Sequence, residues 1–403
     1  MHMSTKPNTP KGMRDFLPHE VMRRNHIMGV IKMQFERYGF LPIETPAMER
    51  RELLLGKYGD EGDRLVFKVL NSGEKVKKAD LEALKNSELS RFVNSLSDKA
   101  MRYDLTVPFA RFVVQHQNEL SFPFKRYQMQ PVWRADRPQH GRFQEFTQCD
   151  ADAIGSDSLL LELEYIQMVD AIFGDLQLSS CTFRVNHRKV LEGIAHRAGA
   201  KAETTRFFTI LDKLDKVGWE EVKRLLLDAD FNIDILDEIN AAVEGKSNID
   251  QLNVLGQLLG TSDSDQDPIH DLSFLFSNLE QLNSTKVVFD WTLARGLDYY
   301  TGTIFEISPP EHVSVGSIGA GGRYDDLTGV FGMKDMSGIG ISFGLDRIEL
   351  VLSELDLFPP ALYTSIDVMV VNFSMDMITS LIPYINELRK QGKRVFVYPS
   401  AAK

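Results

Sequence analysis

The amino-acid sequence predicts an α+β fold, and three observations carry the prediction. Strand-like runs gather in two blocks, residues 124 to 152 and 287 to 344. Between them, residues 188 to 272 are dominated by helical patterns with charged faces, which read as a helical insertion. After Phe358-Pro359-Pro360 a β run, a helix and a second β run open a separate α/β module.

The elements follow in order. Met28, Ile31, Phe35 and Tyr38 recur at helical spacing after Pro18, and Gly39 stands where a C-terminal cap belongs, so residues 18 to 38 read as an amphipathic helix. A strand then ends at Pro46. Residues 71 to 98 mix charges with few large apolar groups and read as a surface excursion with a short helix. From Phe124 to Asp152 the pattern is strand, loop, strand: KRYQMQPVWR, the turn-rich DRPQHGR, then FQEFTQCDAD. Within the insertion, WEEVKRLLLDADF places Glu221, Val222, Leu225 and Leu226 on one turn-spaced stripe. Glycine-rich strands resume from Val287 to Gly344, and a helix runs from about Leu345 to Leu355. The last module is IDVMVV, ITSLIPYINELRKQG and RVFVY. The units expected are therefore residues 1–187 with 273–357, an insertion at 188–272, and a final module at 365–403.

Composition bounds the function. The chain has 403 residues, 43% hydrophobic and 26% charged, enough for two or three domains with a large interior. Its formal charge of −11 repels polyanions, so a nucleic-acid partner must be met by a local basic patch. Cys149 and Cys181 lack metal-ligand spacing, and two lone thiols fit a reducing compartment, which makes the cytoplasm the expected location. No apolar leader and no run near the ~20 residues of a membrane span is present.

The common nucleotide motifs fail. Gly245-Lys246-Ser247 imitates the end of a P-loop, but Asn240 stands where its first glycine belongs and no strand precedes it. Gly338-x-Gly340 is followed by Gly344, one position late for a dinucleotide fingerprint. Nine histidines show no paired-ligand spacing, so a protein-held metal is not expected. Nucleotide, if used, is held differently.

Four segments carry chemistry. Between Lys125 and Arg142 stand five cations (Lys125, Arg126, Arg134, Arg137, Arg142) and one acid, Asp136, a local reversal that suits anions. Arg134 near the end of one strand can fork a phosphate and Phe146 in the return strand can stack a base; a hairpin with a solvated basic tip reads the same residues blandly. In Arg295-Gly296-Leu297-Asp298-Tyr299-Tyr300-Thr301-Gly302, two glycines flank a charged aromatic core in a strand context, as at a close backbone approach to a ligand. The alternative is two strand aromatics beside an Arg295–Asp298 ion pair. GAGGRYDD reads as a tight turn beside a pocket, with Asp325 or Asp326 accepting hydrogen bonds. GIGISFGLDR enters a helix with Arg347 in its first turn, where the dipole disfavours a cation, so an anion is implied; neighbouring Asp346 is the cheaper one.

Taken in order, these segments resemble the three class-defining motifs of class II aminoacyl-tRNA synthetases together with two signatures of the histidyl-tRNA synthetase family. Lys11-Gly12-Met13-Arg14-Asp15 and the helix leading to Pro46 resemble the amino-terminal signature and motif 1, residues 124 to 152 motif 2, and Gly338 to Arg347 motif 3; RGLDYYTG and GAGGRYDD resemble the histidine-specific pair. The resemblance implies a class II catalytic domain with an antiparallel sheet flanked by helices, a helical insertion, and the start of an anticodon-binding domain at 365–403. It implies ATP-dependent activation of L-histidine and transfer to tRNA(His), Mg²⁺ accompanying ATP, and a homodimer built through motif 1. Carried over by position, Arg134 holds α-phosphate and carboxylate oxygens, Phe146 stacks on adenine, Arg347 covers its other face, Arg142 is a further phosphate contact, and Arg295 is the catalytic cation at the α-phosphate. Asp104, Thr106 and Gln148 then bind the α-amino group, Asp152 and Tyr300 with Tyr299 the imidazole, and Gln139 meets the tRNA acceptor end. Asp104 and Asp152 stand where the family often has Glu, one methylene longer. A non-catalytic paralogue that regulates ATP phosphoribosyltransferase in histidine biosynthesis shares the fold and is the alternative; the intact RGLDYY argues against it.

Overall fold

The computed structural model describes residues 7–56, 64–260, 267–279, 281–294, 300–325 and 327–400. The first helix spans Pro18–Arg37, with Pro18 opening it and the Glu20 carboxylate accepting the Leu17 amide at 2.6 Å. The chain leaves through Gly39 at φ +79°, and Ile27, Ile31 and Phe35 form the buried stripe. The strand that follows is shorter than its sequence suggests. β1 is only Leu41–Pro42, because beyond it the backbone bonds singly, Ile43 to the Tyr127 carbonyl and Thr45 to the Gln130 side chain. β2 (Met48–Arg50), β3 (Lys68–Val69) and β4 (Lys99–Met101) form a small antiparallel sheet in the order β2-β4-β3. The excursion at 71–98 lies between β3 and β4 and holds a 3₁₀ turn at Gly73–Lys78 and two short helices rather than one, Leu81–Lys85 and Leu89–Ser95.

The remaining long strands are β5 (Phe124–Trp133), β6 (Glu145–Ile154), β7 (Cys181–His187), β8 (Thr285–Phe289), β9 (Thr303–Ser308), β10 (Gly319–Tyr324) and β11 (Gly338–Gly344). With β1 they make one sheet in the order β1-β5-β6-β11-β10-β9-β7-β8. Its centre is antiparallel, and only the edge pairs β1–β5 and β7–β8 run parallel. The segment GAGGRYDD therefore contributes a strand, not the expected turn, because six of its residues pair with β9 and β11.

Strand alternation divides this sheet into a core face and a polar face. On the core face Cys149, Ala151, Ala153, Ile339, Ile341 and Phe343 are buried under the helices Pro18–Arg37, Leu160–Asp175 and Leu345–Glu354. The Phe343 ring lies 6.2 Å from Phe35 and from Phe173, and each such buried ring contributes about 1.5–3 kcal/mol. On the polar face Asp152 sits between Arg126 and Gly340, Asp150 between Gln128 and Ser342, and Gln148 between Gln130 and Gly344.

Residues 188–272 leave the sheet after β7 as successive helices and return before β8. Val222 and Leu226 are fully buried there and Leu225 half-buried; Glu221 falls off the expected stripe and pairs outward with Arg224. The P-loop lookalike is a helix cap, its Ser247 hydroxyl accepting the Asp250 amide at 3.2 Å. Near the end of the chain β12 (Val368–Val370) and β13 (Val395–Val397) pair in parallel through the helix Met375–Lys390, the βαβ unit read from the sequence. Among the described residues no helix is long and apolar enough to cross a membrane.

Candidate active site

The alternation that hides Cys149 and Ala151 brings Phe146, Gln148, Asp150 and Asp152 to the opposite face of β6. A cleft of about 710 Å³ opens over that face. Gln148, Asp152, Gly340 and Ser342 form its floor, the β5–β6 loop and Arg347 one wall, and Asp104, Thr106 and Tyr300 approach from another side. Ten of the twelve residues singled out in the sequence line this one cleft. The other two, Arg295 and Tyr299, lie outside the described residues.

The floor is acidic and buried. Asp152 is 2% exposed; its carboxylate takes Arg126 at 2.7 Å and the Tyr324 hydroxyl at 2.8 Å. A side chain at position 340 would place its Cβ 2.1 Å from Asp152 Oδ1, so glycine there is what lets the carboxylate lie flat on the sheet. Burial raises the Asp152 pKa, and the Arg126 guanidinium and Tyr324 hydroxyl work against it. Asp150 is pushed up to about 8, by burial first and against the pull of Arg126. Gln148 Nε2 donates to Ser342 Oγ at 2.7 Å, while its buried Oε1 has no donor among the described residues. At the cleft edge Asp104 Oδ1 accepts the Val107 amide at 3.1 Å, fixing the start of the helix Thr106–His116.

The wall is cationic. Arg134 Nε donates to the Tyr103 carbonyl at 3.0 Å, and its guanidinium lies 4.3 Å from the Tyr103 ring centre and 5.3 Å from that of Phe146. That leaves a flat fork beside an aromatic face, a geometry for phosphate next to a base. Gln139 and Arg142 close the loop tip with two backbone hydrogen bonds at 3.1 and 2.9 Å. The Arg142 guanidinium pairs with Asp136 at 2.8 Å. Arg347 donates to the carbonyls of Gly141, at 3.1 Å, and Ser317, at 2.6 Å. Asp346, expected to offset Arg347, is instead gripped by Arg14 and Arg24 and accepts the Thr147 amide at 3.1 Å.

The basic stretch of residues 125–142 is not one patch. Arg126 is fully buried against Asp152, and Lys125, on the other face, binds Glu164 and the Tyr38 carbonyl. Of the five cations only Arg134 and Arg142 line the cleft.

The comparisons with known proteins decide the family. The family model described as histidyl-tRNA synthetase matches residues 12–348. The chain belongs to the histidyl-tRNA synthetase family. It is 51% identical to a histidine–tRNA ligase of Christiangramia forsetii, across 100% of this chain and 89% of that protein. A crystal structure of histidyl-tRNA synthetase from Nostoc superposes with a TM-score of 0.80 at 30% identity, covering 99% of this chain and 88% of the other. A Bacillus halodurans structure titled as an ATP phosphoribosyltransferase regulatory subunit/histidyl-tRNA synthetase shares the fold at a TM-score of 0.73 and 23% identity, covering 97% of this chain and 93% of that one.

Sequence reasoning missed two kinds of residue around this cleft. Arg126 and Tyr324 act through the buried Asp152 carboxylate, and Asp150 is buried on the same strand face; only the strand register brings these residues together. Asp325 does accept hydrogen bonds, from Thr301 at 2.5 Å and Ser337 at 2.6 Å, whereas Asp326 lies outside the described residues. Arg188, Thr205, Phe208 and Lys216 of the insertion complete the cleft, with Arg188 stacked 4.3 Å from the Phe208 ring. Nothing in a helical pattern foretells which sheet it will roof.

Proposed function

We propose that this chain activates L-histidine with ATP to histidyl-adenylate and transfers the histidyl group to tRNA(His). The observation that carries the reading is one cleft with a cationic, aromatic wall, Arg134 beside Phe146, facing a buried carboxylate floor, Asp152 beside Gln148. The wall suits a nucleotide triphosphate and the floor suits a small polar amino acid.

In this reading Arg134 holds the α-phosphate and the histidine carboxylate, Phe146 stacks on adenine, Arg347 covers its other side, and Arg142 turns from Asp136 to a phosphate. Asp104, Thr106 and Gln148 take the α-ammonium, for which the donor-free Gln148 Oε1 is a ready acceptor. Asp152, Tyr300 and Tyr299 read the imidazole. An amino acid without that ring leaves their polar atoms unpaired, which sustains discrimination of about 10⁴-fold or more. Arg295 stabilises the charge that develops at the α-phosphate as the carboxylate attacks and pyrophosphate leaves. Gln139, exposed at the loop tip, meets the acceptor end of the tRNA. Mg²⁺ comes with ATP, held by phosphate oxygens; no cluster of three potential ligands stands among the described residues, and the phosphates supply most of the ligands such an ion takes.

Residues 1–187 with 273–357 act in this reading as the catalytic domain, 188–272 as the insertion and 365–403 as part of the anticodon-binding domain, in a cytoplasmic homodimer. Exposed Leu41 and Met48, in the strands that follow the first helix in sequence, support the dimer surface. No observation favours the regulatory alternative. Histidine-dependent ATP–pyrophosphate exchange by the purified chain tests the proposal: exchange with histidine and not with other amino acids is expected, and a folded protein without it sinks the reading.

A further inference from the structure

The segment between Pro10 and Phe16 lines no part of the cleft, yet it touches both halves of the cationic wall. Its turn is fixed by the Met13 amide on the Pro10 carbonyl at 3.1 Å, with Gly12 at φ +79°. The Gly12 carbonyl accepts the Gln144 amide at 2.8 Å, and Gln144 in turn bonds the Arg134 amide through its carbonyl, at 2.9 Å, and the Asp136 carbonyl through its side chain, at 2.9 Å. There is no room for a side chain here: a Cβ on Gly12 would lie 2.6 Å from Gln144 Cγ and 2.9 Å from Pro138 Cγ. Two residues on, the Arg14 guanidinium stacks 3.4 Å from the centre of the Phe143 ring and donates to Asp346. Asp346 also takes Arg24 at 2.7 Å and the Thr147 amide at 3.1 Å, and it directly precedes Arg347, whose guanidinium donates to Gly141 in the same loop.

We infer that Gly12 and Arg14 form a clamp that fixes the β5–β6 loop against the helix Leu345–Glu354, and so set the spacing between the arginines and the ring that hold ATP. They are positioning residues: neither lines the cleft, and both act through Gln144, Phe143 and Asp346. The chemistry suits the task. Arg14 is half-buried among aromatic groups and beside a second cation, Arg24; the fully buried Asp346 is the anion that holds both. Loosening the clamp frees the loop without touching the acidic floor, because Asp152 is held by Arg126 and Tyr324, and Gln148 by Ser342 on the next strand.

This rests on the adenylation reading for the identity of the ligand, so the test separates the two. ATP binding by calorimetry, without histidine, is compared between the full chain and its Arg14→Ala and Gly12→Ala variants, and exchange kinetics are recorded alongside. The clamp is expected to show as an ATP Kd and KM raised about tenfold, since small misplacements of positioning groups are that costly, with the histidine KM within about twofold. Arg14→Lys keeps the ion pair and loses the planar stack, and it should show a smaller rise in the same direction; it decides the matter if the alanine variants do not fold. Unchanged ATP affinity in folded variants, or equal rises for ATP and histidine, overturns the clamp. Wild-type protein that binds ATP but exchanges nothing with histidine overturns the functional reading and leaves the comparison of ATP affinities to judge the clamp.

Discussion

The two faces of β6 are built by the same ten residues of one strand and obey opposite rules. Cys149, Ala151 and Ala153 disappear into an apolar layer that asks only for volume, whereas Asp150 and Asp152, one position away, are as deeply buried but charged or chargeable. The difference lies in the neighbours that the register supplies. Asp152 faces Arg126 and a glycine, so a carboxylate fits and is partnered; the residues opposite Ala151 are Tyr127 and Ile341, which offer it nothing. Burial therefore does not separate structure from function here. Partnership does.

The comparison can be broken from the apolar side first. Ala151→Asp puts an unpartnered carboxylate where its twin one residue on is tolerated, and it should cost about 4 kcal/mol or more in urea unfolding; a loss under about 1 kcal/mol would mean that the core face can solvate a charge. On the chemical side, Arg295→Ala should cut histidine-dependent exchange about 10²-fold, roughly 2.7 kcal/mol of barrier, with an unchanged melting temperature. A rate equal to wild type removes Arg295 from the mechanism.

Asp150 sharpens the contrast through pH. Burial lifts its carboxyl to about 8, far above the ordinary 3.8, so the native state holds a proton that the unfolded chain releases. That group's contribution is fully present below the unfolded value and is lost as pH rises toward 8, with a slope of at most about 1.4 kcal/mol per pH unit. Arg126 works to hold the shift down, and Asp152 and Asp104 help to raise it. Asp150→Asn should flatten the decline in stability between about pH 5 and 8; an unaltered slope would show that Asp150 is ionised throughout. The smallest effect is expected away from the sheet. Phe373, 64% exposed beside β12, should tolerate serine within about 0.5 kcal/mol by thermal melting, because most of its surface already meets water.

These contrasts also mark what a sequence lets one read. Helix and strand positions came from spacing and from caps and turns. Arg134 stood out in a local excess of cations and Arg347 in the first turn of a helix, and their roles, with that of Phe146, came from the resemblance to the family. Arg126 was given no role, since in FKRYQMQ it looks like any basic strand residue, and its burial against Asp152 is a matter of pairing across 26 residues of chain. The short β1 and the strand formed by Gly319–Tyr324 were misjudged for a related reason: glycines and prolines advertise turns locally, while the hydrogen bonds that overrule them come from remote partners. The roof supplied by Phe208 and Lys216 left no local trace at all.

The clasp of Arg14 on Asp346 joins residues 332 positions apart, and β11 enters the middle of the sheet rather than its edge. During synthesis at about 5–20 residues per second, β5 and β6 emerge with one flank bare and wait for β11 until Gly344 has left the ribosome, tens of seconds at the slower rates. Until then the buried acids and the bare strand edge of β6 face water or a chaperone, a window in which misassembly competes with folding. The cleft thus cannot be completed until β11 has been made.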